Sequence, residues 1–339
     1  FSATSLLLLF ALLLGHSIVE LEASHHFYQN LPNVETSSTN QPYRTAYHFQ
    51  PPKWMNAPMI YKGIYHLFYQ YSPKGPVWGT IVWAHYTSTD LVNWTPQDVA
   101  MYPSQLTDIN GVWSGSATIL PNGTPMILYT GANPQMAQTQ NLAMAKNPSD
   151  PYLREWVKSP KNPLMAPTAT NQVNSSSFRD PSTAWLGPDK TWRVVIGSKR
   201  NSRGLALLYR SKDFVHWIEA KHPLHSAKDT GMWECPFFPV SIQSPKGVDT
   251  SIFGTNVKHV LKVSLDDIKR DYYTIGTYNI DKEFVSSDDA WLRYDYDKFY
   301  APKTFFDSAK NKRILWDWIN ESSSVIDDKK NEWCGVQVI

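Results

Sequence analysis

Cysteine is scarce in this sequence, because only Cys235 and Cys334 occur among its 339 residues. Two cysteines cannot form a disulfide framework, so an apolar core must hold the fold together. The chain also lacks a large net charge, because its 32 Lys and Arg nearly balance its 30 Asp and Glu. Its basic residues do not form a stripe. The electrostatic footprint of nucleic-acid binding is absent, and we expect no nucleic-acid partner.

Long apolar runs are missing as well, apart from residues 6–14 (LLLLFALLL). That run is too short to span a bilayer, and polar residues and the small residue Ala23 follow it. We predict a secretory signal peptide at residues 1–23, a polar segment at residues 24–42 and no membrane span. A buried core helix is the alternative interpretation of the run.

Secretion has two further consequences. Without residues 1–23 the chain has 32 basic and 28 acidic residues, a net charge of +4, and a cationic secreted protein can adsorb to an acidic cell-wall polysaccharide. Four Asn-x-Ser/Thr sequons predict a glycoprotein. Their asparagines are Asn93, Asn122, Asn174 and Asn320.

Short apolar and aromatic runs recur along the chain, with turn residues between them and no helical period of 3.6. Five of these runs resemble one another; they cover residues 65–71, 125–130, 192–198, 272–278 and 313–319. The pattern S-x-D-x-V-x-W also occurs twice, at residues 88–94 and 211–217. Repeated units of several strands predict an all-β protein, a five-bladed β-propeller. A β-sandwich is the alternative.

Two acidic residues stand in aromatic, turn-rich surroundings. Trp233 and Cys235 flank Glu234 with apolar bulk, which disfavours a carboxylate and suits a general acid. Asp180 follows Arg179, and we expect an ion pair that keeps this carboxylate charged. Histidines lack metal-ligand spacing with cysteines or carboxylates, so we predict neither a metal nor a cofactor.

Five motifs in order carry a family resemblance: residues 54–56 (WMN), 68–71 (FYQY), 113–116 (WSGS), 179–181 (RDP) and 233–236 (WECP). The chain resembles glycoside hydrolase family 32, and within it the cell-wall type of plant acid invertase. The resemblance implies a five-bladed propeller at residues 43–339 with a funnel that binds the fructosyl group of sucrose or of a fructan oligosaccharide.

The resemblance also implies roles for individual residues. Asp180 corresponds to the transition-state stabiliser of the family, and Glu234 corresponds to its acid/base. The implied substrate contacts are Asn56, Gln70, Trp78, Trp113, Ser114 and Arg179. Asp266 and Lys269 form a D-x-x-K pair that accompanies sucrose preference in the family; a solvated turn is the other interpretation of this pair.

The sequence departs from the family pattern where the nucleophile should be. In the family, Asp-Pro-Asn follows the W-M-N residues, but here Asn56 is followed directly by Ala57-Pro58. Single residues are also missing before Trp54 and after Pro236. The chain ends in what should be the last blade, so we expect the C-terminal β-sandwich of the family to be absent from it.

These features leave several functional hypotheses. The first is a secreted cell-wall β-fructofuranosidase that lacks most of its activity because the nucleophile is missing. The second is a fructan exohydrolase, which shares the fold and the catalytic residues. A non-catalytic sugar-binding or regulatory protein is the third, and the product of an aberrant transcript without function is the last.

Overall fold

The computed structural model describes residues 55–73, 79–242, 257–279, 284–286, 291–296, 299–320, 324, 326 and 336–338. The predicted signal peptide and the polar segment lie outside this range. No helix within the described residues is long and apolar enough to span a membrane.

Antiparallel strands make up the described part of the chain, and they form five sheets in sequence order. The first sheet contains β1 (Met55–Tyr61), β2 (Ile64–Tyr71), β3 (Val82–Ser88) and β4 (Thr95–Met101). The second contains β5 (Val112–Ile119), β6 (Pro125–Ala132), β7 (Gln138–Ala145) and β8 (Trp156–Lys158).

The third sheet contains β9 (Phe178–Arg179), β10 (Trp185–Leu186), β11 (Trp192–Arg200), β12 (Arg203–Ser211), β13 (Trp217–Glu219) and β14 (His225–Ala227). The fourth contains β15 (Trp233–Ile242), β16 (Lys258–Leu265), β17 (Arg270–Tyr278), β18 (Phe284–Ser286) and β19 (Leu292–Arg293). The fifth contains β20 (Phe299–Asp307), β21 (Lys312–Asn320) and β22 (Val336–Val338).

The sheets bury their faces against one another, as blades do. Separate apolar clusters join the first sheet to the second, the second to the third, and the third to the fourth. Leu67 of β2 and Trp316 of β21 join the first sheet to the fifth. Strand β1 packs against both β5 and β20, so the inner strands close a ring. The all-β propeller is confirmed, and the β-sandwich alternative is wrong.

The five blades that the sequence predicts are not all found among the described residues. Four sheets have four or more strands, whereas the fifth has three. Among the described residues from Phe299 onward, strands occur only at β20, β21 and β22. The described residues therefore form four complete blades and a three-stranded fifth sheet.

The five recurring runs are strands, and each belongs to a different sheet: they lie in β2, β6, β11, β17 and β21. The S-x-D-x-V-x-W copies also share one turn. In one copy Asp90 Oδ1 accepts from the amide of Val92 at 2.8 Å, and in the other Asp213 Oδ1 accepts from the amide of Val215 at 2.9 Å. An aspartate that binds the amide two residues later fixes such a turn locally, so the repeat was visible in the sequence.

Candidate active site

The candidate site begins at β9, which carries Arg179. This two-residue strand pairs with Gly197 and Ser198 of β11. A side chain at Gly197 would not fit, because its Cβ would lie 2.2 Å from the carbonyl oxygen of Trp233. The glycine thus lets the third and fourth sheets approach closely and brings Arg179 beside Glu234, the residue after Trp233.

Arg179 connects three of the predicted site residues. Its Nε donates to Glu234 Oε1 at 2.8 Å, and its Nη2 donates to Asp266 Oδ2 at 2.8 Å. Lys269 Nζ in turn contacts Asp266 Oδ1. Burial acts to lower the pKa of Arg179, but the charges of Glu234, Asp180 and Asp266 outweigh it and raise that pKa. The guanidinium is a fixed cation between two carboxyl groups.

Glu234 has the electrostatics of a proton donor. Burial raises the pKa of its carboxyl group, Arg179 opposes this shift and the charge of Asp180 adds to it. The direction agrees with the sequence prediction. A raised carboxyl pKa keeps the proton available for transfer at mildly acidic pH.

Tyr300 is a site residue that the sequence analysis missed. Its hydroxyl contacts Glu234 Oε2, and Lys269 Nζ lies 3.8 Å from the same oxygen. Burial, followed by the charge of Glu234, raises the pKa of Tyr300 well above its usual range, so its hydroxyl stays protonated and can donate. No sequence motif marks it, since it lies 66 residues from Glu234 on another sheet.

Asp180 is held differently from what the sequence suggests. It is 3% exposed, and its Oδ2 accepts from the Cys235 amide at 3.0 Å and from the Cys235 thiol at 3.4 Å. The expected ion pair with Arg179 is wrong, because Arg179 makes its ion pairs with Glu234 and Asp266. The Asp180 amide donates to Thr130 Oγ1 at 2.9 Å, which fixes the backbone.

Gln70 and Ser114 form a second group on the inner strands. Gln70 Nε2 donates to Ser114 Oγ at 3.0 Å and joins β2 to β5. Trp113, 8% exposed, packs with Ile81 and Ala132. We call Arg179, Glu234, Asp266, Lys269 and Tyr300 the Arg179 cluster. Within the described residues, no hydrogen bond joins Gln70 or Ser114 to it.

Two predicted substrate contacts cannot be located. Trp78 and the side chain of Asn56 lie outside the described residues. The backbone of Asn56 belongs to β1, and the register of β1 against β2 shifts between Met55 and Ala57. This irregularity falls where the sequence departs from the family pattern.

Three sequon asparagines are exposed: Asn93, Asn122 and Asn174. Each lies in or beside a turn, outside the inner strands. The side chain of the fourth, Asn320, lies outside the described residues. Three positions are therefore accessible to a glycan, as a sequon in use requires.

Comparison with known proteins identifies the family of the chain. Residues 48–339 match the family described as Glycosyl hydrolases family 32 N-terminal domain. Beta-fructofuranosidase, insoluble isoenzyme CWINV1, of Arabidopsis thaliana is 61% identical over 100% of this chain and 61% of its own length. Fructan 6-exohydrolase of Beta vulgaris is 60% identical over 88% of this chain and 52% of its own length.

A solved structure is similar as well. Fructan 1-exohydrolase IIa from Cichorium intybus superposes with a TM-score of 0.82 at 51% identity, covering 88% of this chain and 57% of that one. That protein has also been solved in complex with 1-kestose. The chain thus spans about half to two thirds of the length of these relatives. The family resemblance is confirmed, and the chain belongs to glycosyl hydrolase family 32.

Proposed function

We propose that the Arg179 cluster is the fructosyl-binding and acid/base site of a β-fructofuranosidase. One set of hydrogen bonds carries this proposal. Arg179 donates to Glu234 and to Asp266, at 2.8 Å each. Asp180 accepts from the amide of Cys235, the residue after Glu234. Burial raises the pKa of Glu234, whereas Asp180 lies in a different environment. Such a pair suits a mechanism in which one carboxyl group transfers a proton and the other stabilises charge.

In this proposal, Glu234 protonates the leaving glycosidic oxygen. Asp180 accepts a sugar hydroxyl and stabilises the positive charge that develops on the fructosyl ring. The proposed substrate contacts are Asn56, Gln70, Trp78, Trp113, Ser114, Arg179, Asp266 and Lys269. Tyr300 orients Glu234 through the contact of its hydroxyl with Glu234 Oε2, the oxygen that also lies near Lys269 Nζ.

Turnover also needs a nucleophile, but strands β1 and β2 of the first sheet carry no carboxylate that could act as one. A retaining glycosidase uses two carboxyl groups about 5 to 5.5 Å apart, yet residues 55–73 contain neither Asp nor Glu. We therefore propose that the chain binds the sugar and turns it over only weakly, which keeps the sugar-binding hypothesis open.

Sucrose is the substrate we favour. Lys269 Nζ contacts Asp266 Oδ1, and Arg179 holds the other oxygen of the same carboxylate. These contacts of the D-x-x-K pair with Arg179 support sucrose over fructan in this proposal. Fructan oligosaccharides are the alternative, supported by the similarity to two fructan exohydrolases.

The setting we propose is the plant cell wall. Its support is the signal-like run at residues 6–14, three exposed sequons and the names of the invertase relatives. The cationic mature chain would adsorb to acidic wall polysaccharide. We also propose that the three-stranded sheet is the fifth blade of a five-bladed domain covering residues 43–339.

Calorimetric titration of the purified chain with sucrose and with 1-kestose tests the proposal. We expect saturable binding of sucrose that Arg179→Met abolishes and Lys269→Met weakens. Lys228→Met is the matched control, because Lys228 Nζ pairs only loosely with Asp229 at 3.8 Å on the exposed surface. Absence of sugar binding in a folded chain, or binding that survives Arg179→Met, would refute it.

A further inference from the structure

A cavity lies between inner strands of several sheets, and its lining is separate from the Arg179 cluster. Its volume is about 470 Å³, and inner-strand residues of several sheets line it, including Met59 of β1, Ser116 of β5, Phe237 of β15 and Lys303 of β20. None of the residues of the Arg179 cluster lines it. Its size falls within the usual range of about 300 to 1,000 Å³ for small-molecule sites.

Lys303 gives this cavity a buried amine that can carry a positive charge. The residue is 7% exposed, and its Nζ donates to Ser116 Oγ at 3.0 Å. Among the described residues, this is its single hydrogen bond, and no carboxylate lies within ion-pair distance of it. A lysine ammonium has three N–H groups, so two remain for another acceptor. Burying a charge without a partner is costly, which favours an anion that would pair with it.

Electrostatics around Lys303 agree with this need. Burial lowers the pKa of Lys303 and the neighbouring cation of Lys262 adds to that lowering, whereas the charge of Asp180 opposes it. Lys262 is satisfied by its own ion pair with Asp271 at 2.6 Å. Of the two buried lysines, Lys303 is thus the one whose positive charge lacks an adjacent carboxylate among the described residues.

The cavity walls define the rest of the ligand. They include the apolar side chains of Met59, Phe237, Phe238 and Phe305, and they contain no Asp or Glu. Arg313 also lines the cavity, with its Nη1 donating to Thr304 Oγ1 at 3.0 Å. A buried lysine in a cavity lined by aromatic rings suits a ligand with an anionic head and an apolar body.

We propose that this cavity binds a small organic carboxylate, whose head accepts hydrogen bonds from the Lys303 ammonium and whose apolar body packs on the phenylalanine walls. A hydrogen bond from Ser116 connects the cavity lining to the chain segment that contains Asp180. Ser116 Oγ donates to the carbonyl of Pro181 at 2.7 Å, and Pro181 follows Asp180. A carboxylate bound here would rest against the segment that carries Asp180.

Titration calorimetry with 4-phenylbutyrate and its neutral analogue 4-phenyl-1-butanol tests the proposal on the full chain. We expect one saturable site that prefers the carboxylate roughly tenfold or more, since a charge-assisted hydrogen bond is worth about 1.5 to 3 kcal/mol. Lys303→Met should remove that preference and leave alcohol binding unchanged. Saturating sucrose should not displace the carboxylate, and Lys228→Met should bind it as the parent does.

Arg313→Gln provides an independent variant if Lys303→Met fails to fold. It should weaken carboxylate binding and leave alcohol binding unchanged. Equal affinity for the two probes, absence of saturable binding, or unchanged carboxylate binding in the folded variants would overturn the proposal. Displacement by sucrose would overturn it too, because the probe would then occupy the catalytic cluster. Failure of sucrose binding alone would refute only the proposed function.

Discussion

The Cys235 amide donates to Asp180 Oδ2 at 3.0 Å, and both residues adopt positive φ angles, 65° for Asp180 and 43° for Cys235. Residues other than glycine seldom adopt this region, and such strain often accompanies functional sites. The Thr130 hydroxyl accepts from the Asp180 amide and holds that backbone. Two motifs 55 residues apart are thus fixed to each other by a hydrogen bond between Asp180 and the residue after Glu234.

The Cys235 thiol should react slowly in the folded chain. It is 7% exposed, and burial, followed by the charge of Asp180, raises its pKa well above the usual value. Each unit of increase in pKa reduces the reactive thiolate about tenfold. In a Cys334→Ser variant, we expect alkylation by iodoacetamide at neutral pH to be at least roughly tenfold slower than in concentrated urea. Equal rates in both conditions would contradict the burial of this thiol.

Sucrose hydrolysis by the chain should be very slow. Loss of a nucleophile from a catalytic unit costs about 10⁴ to 10⁶ in rate, so we expect glucose release at no more than about 10⁻⁴ of the rate of an intact relative. Insertion of Asp-Pro-Asn between Asn56 and Ala57 should restore part of it. In that chain, Glu234→Gln should abolish release again, which serves as the control for contaminating invertase. Near-normal release by the unmodified chain would refute this prediction.

Local signals explain what the sequence analysis predicted correctly. Asp90 and Asp213 fix their turns through hydrogen bonds to amides two residues later, so the repeated motif marked the strand ends. Each of the five apolar runs forms one strand in a different sheet, because near-continuous apolar runs suit strands that are buried on both faces. The raised pKa of Glu234 followed from its apolar neighbours in the chain.

Long-range contacts explain what was missed. Tyr300 reaches Glu234 from another sheet, and nothing near it in the chain marks that contact. The partners of Arg179 were misassigned because adjacency in sequence suggested Asp180, whereas the fold directs the guanidinium to Glu234 and Asp266. The number of complete blades depends on how many strands each segment supplies, which periodicity alone does not give.

Gly197→Ala should destabilise the chain. Its new Cβ would lie 2.2 Å from the carbonyl oxygen of Trp233, and a backbone atom of a neighbouring strand cannot move away at little cost. Overpacking of this kind costs about 1 to 3 kcal/mol. Urea unfolding measures the change in the free energy of unfolding. Gly79→Ala is the matched control, because a Cβ there meets nothing within 4 Å; equal effects of the two substitutions would argue against the close approach of β11 and β15.

Acid should destabilise the fold through a buried histidine pair. His66 Nδ1 and His85 Nε2 share a hydrogen bond at 3.0 Å, and each residue is 1% exposed. Burial lowers the pKa of His66 from 6.5 to about 4 and lowers that of His85 as well. Between these values the unfolded chain binds more protons than the folded chain, so the stability contribution present above pH 6.5 is lost as the pH falls toward 4.

For His66 alone, this loss amounts to roughly 3 kcal/mol when it is complete. Urea unfolding of the parent and of a His66→Phe/His85→Phe double variant, measured at neutral pH and near the lowered pKa, isolates it. Since both hydrogen-bonding partners are replaced by rings of similar shape, stability at neutral pH should change little, whereas the loss on acidification should shrink. His222→Gln, at an exposed position, should keep the full loss. A double variant that loses as much stability in acid as the parent would show that the pair is not the cause.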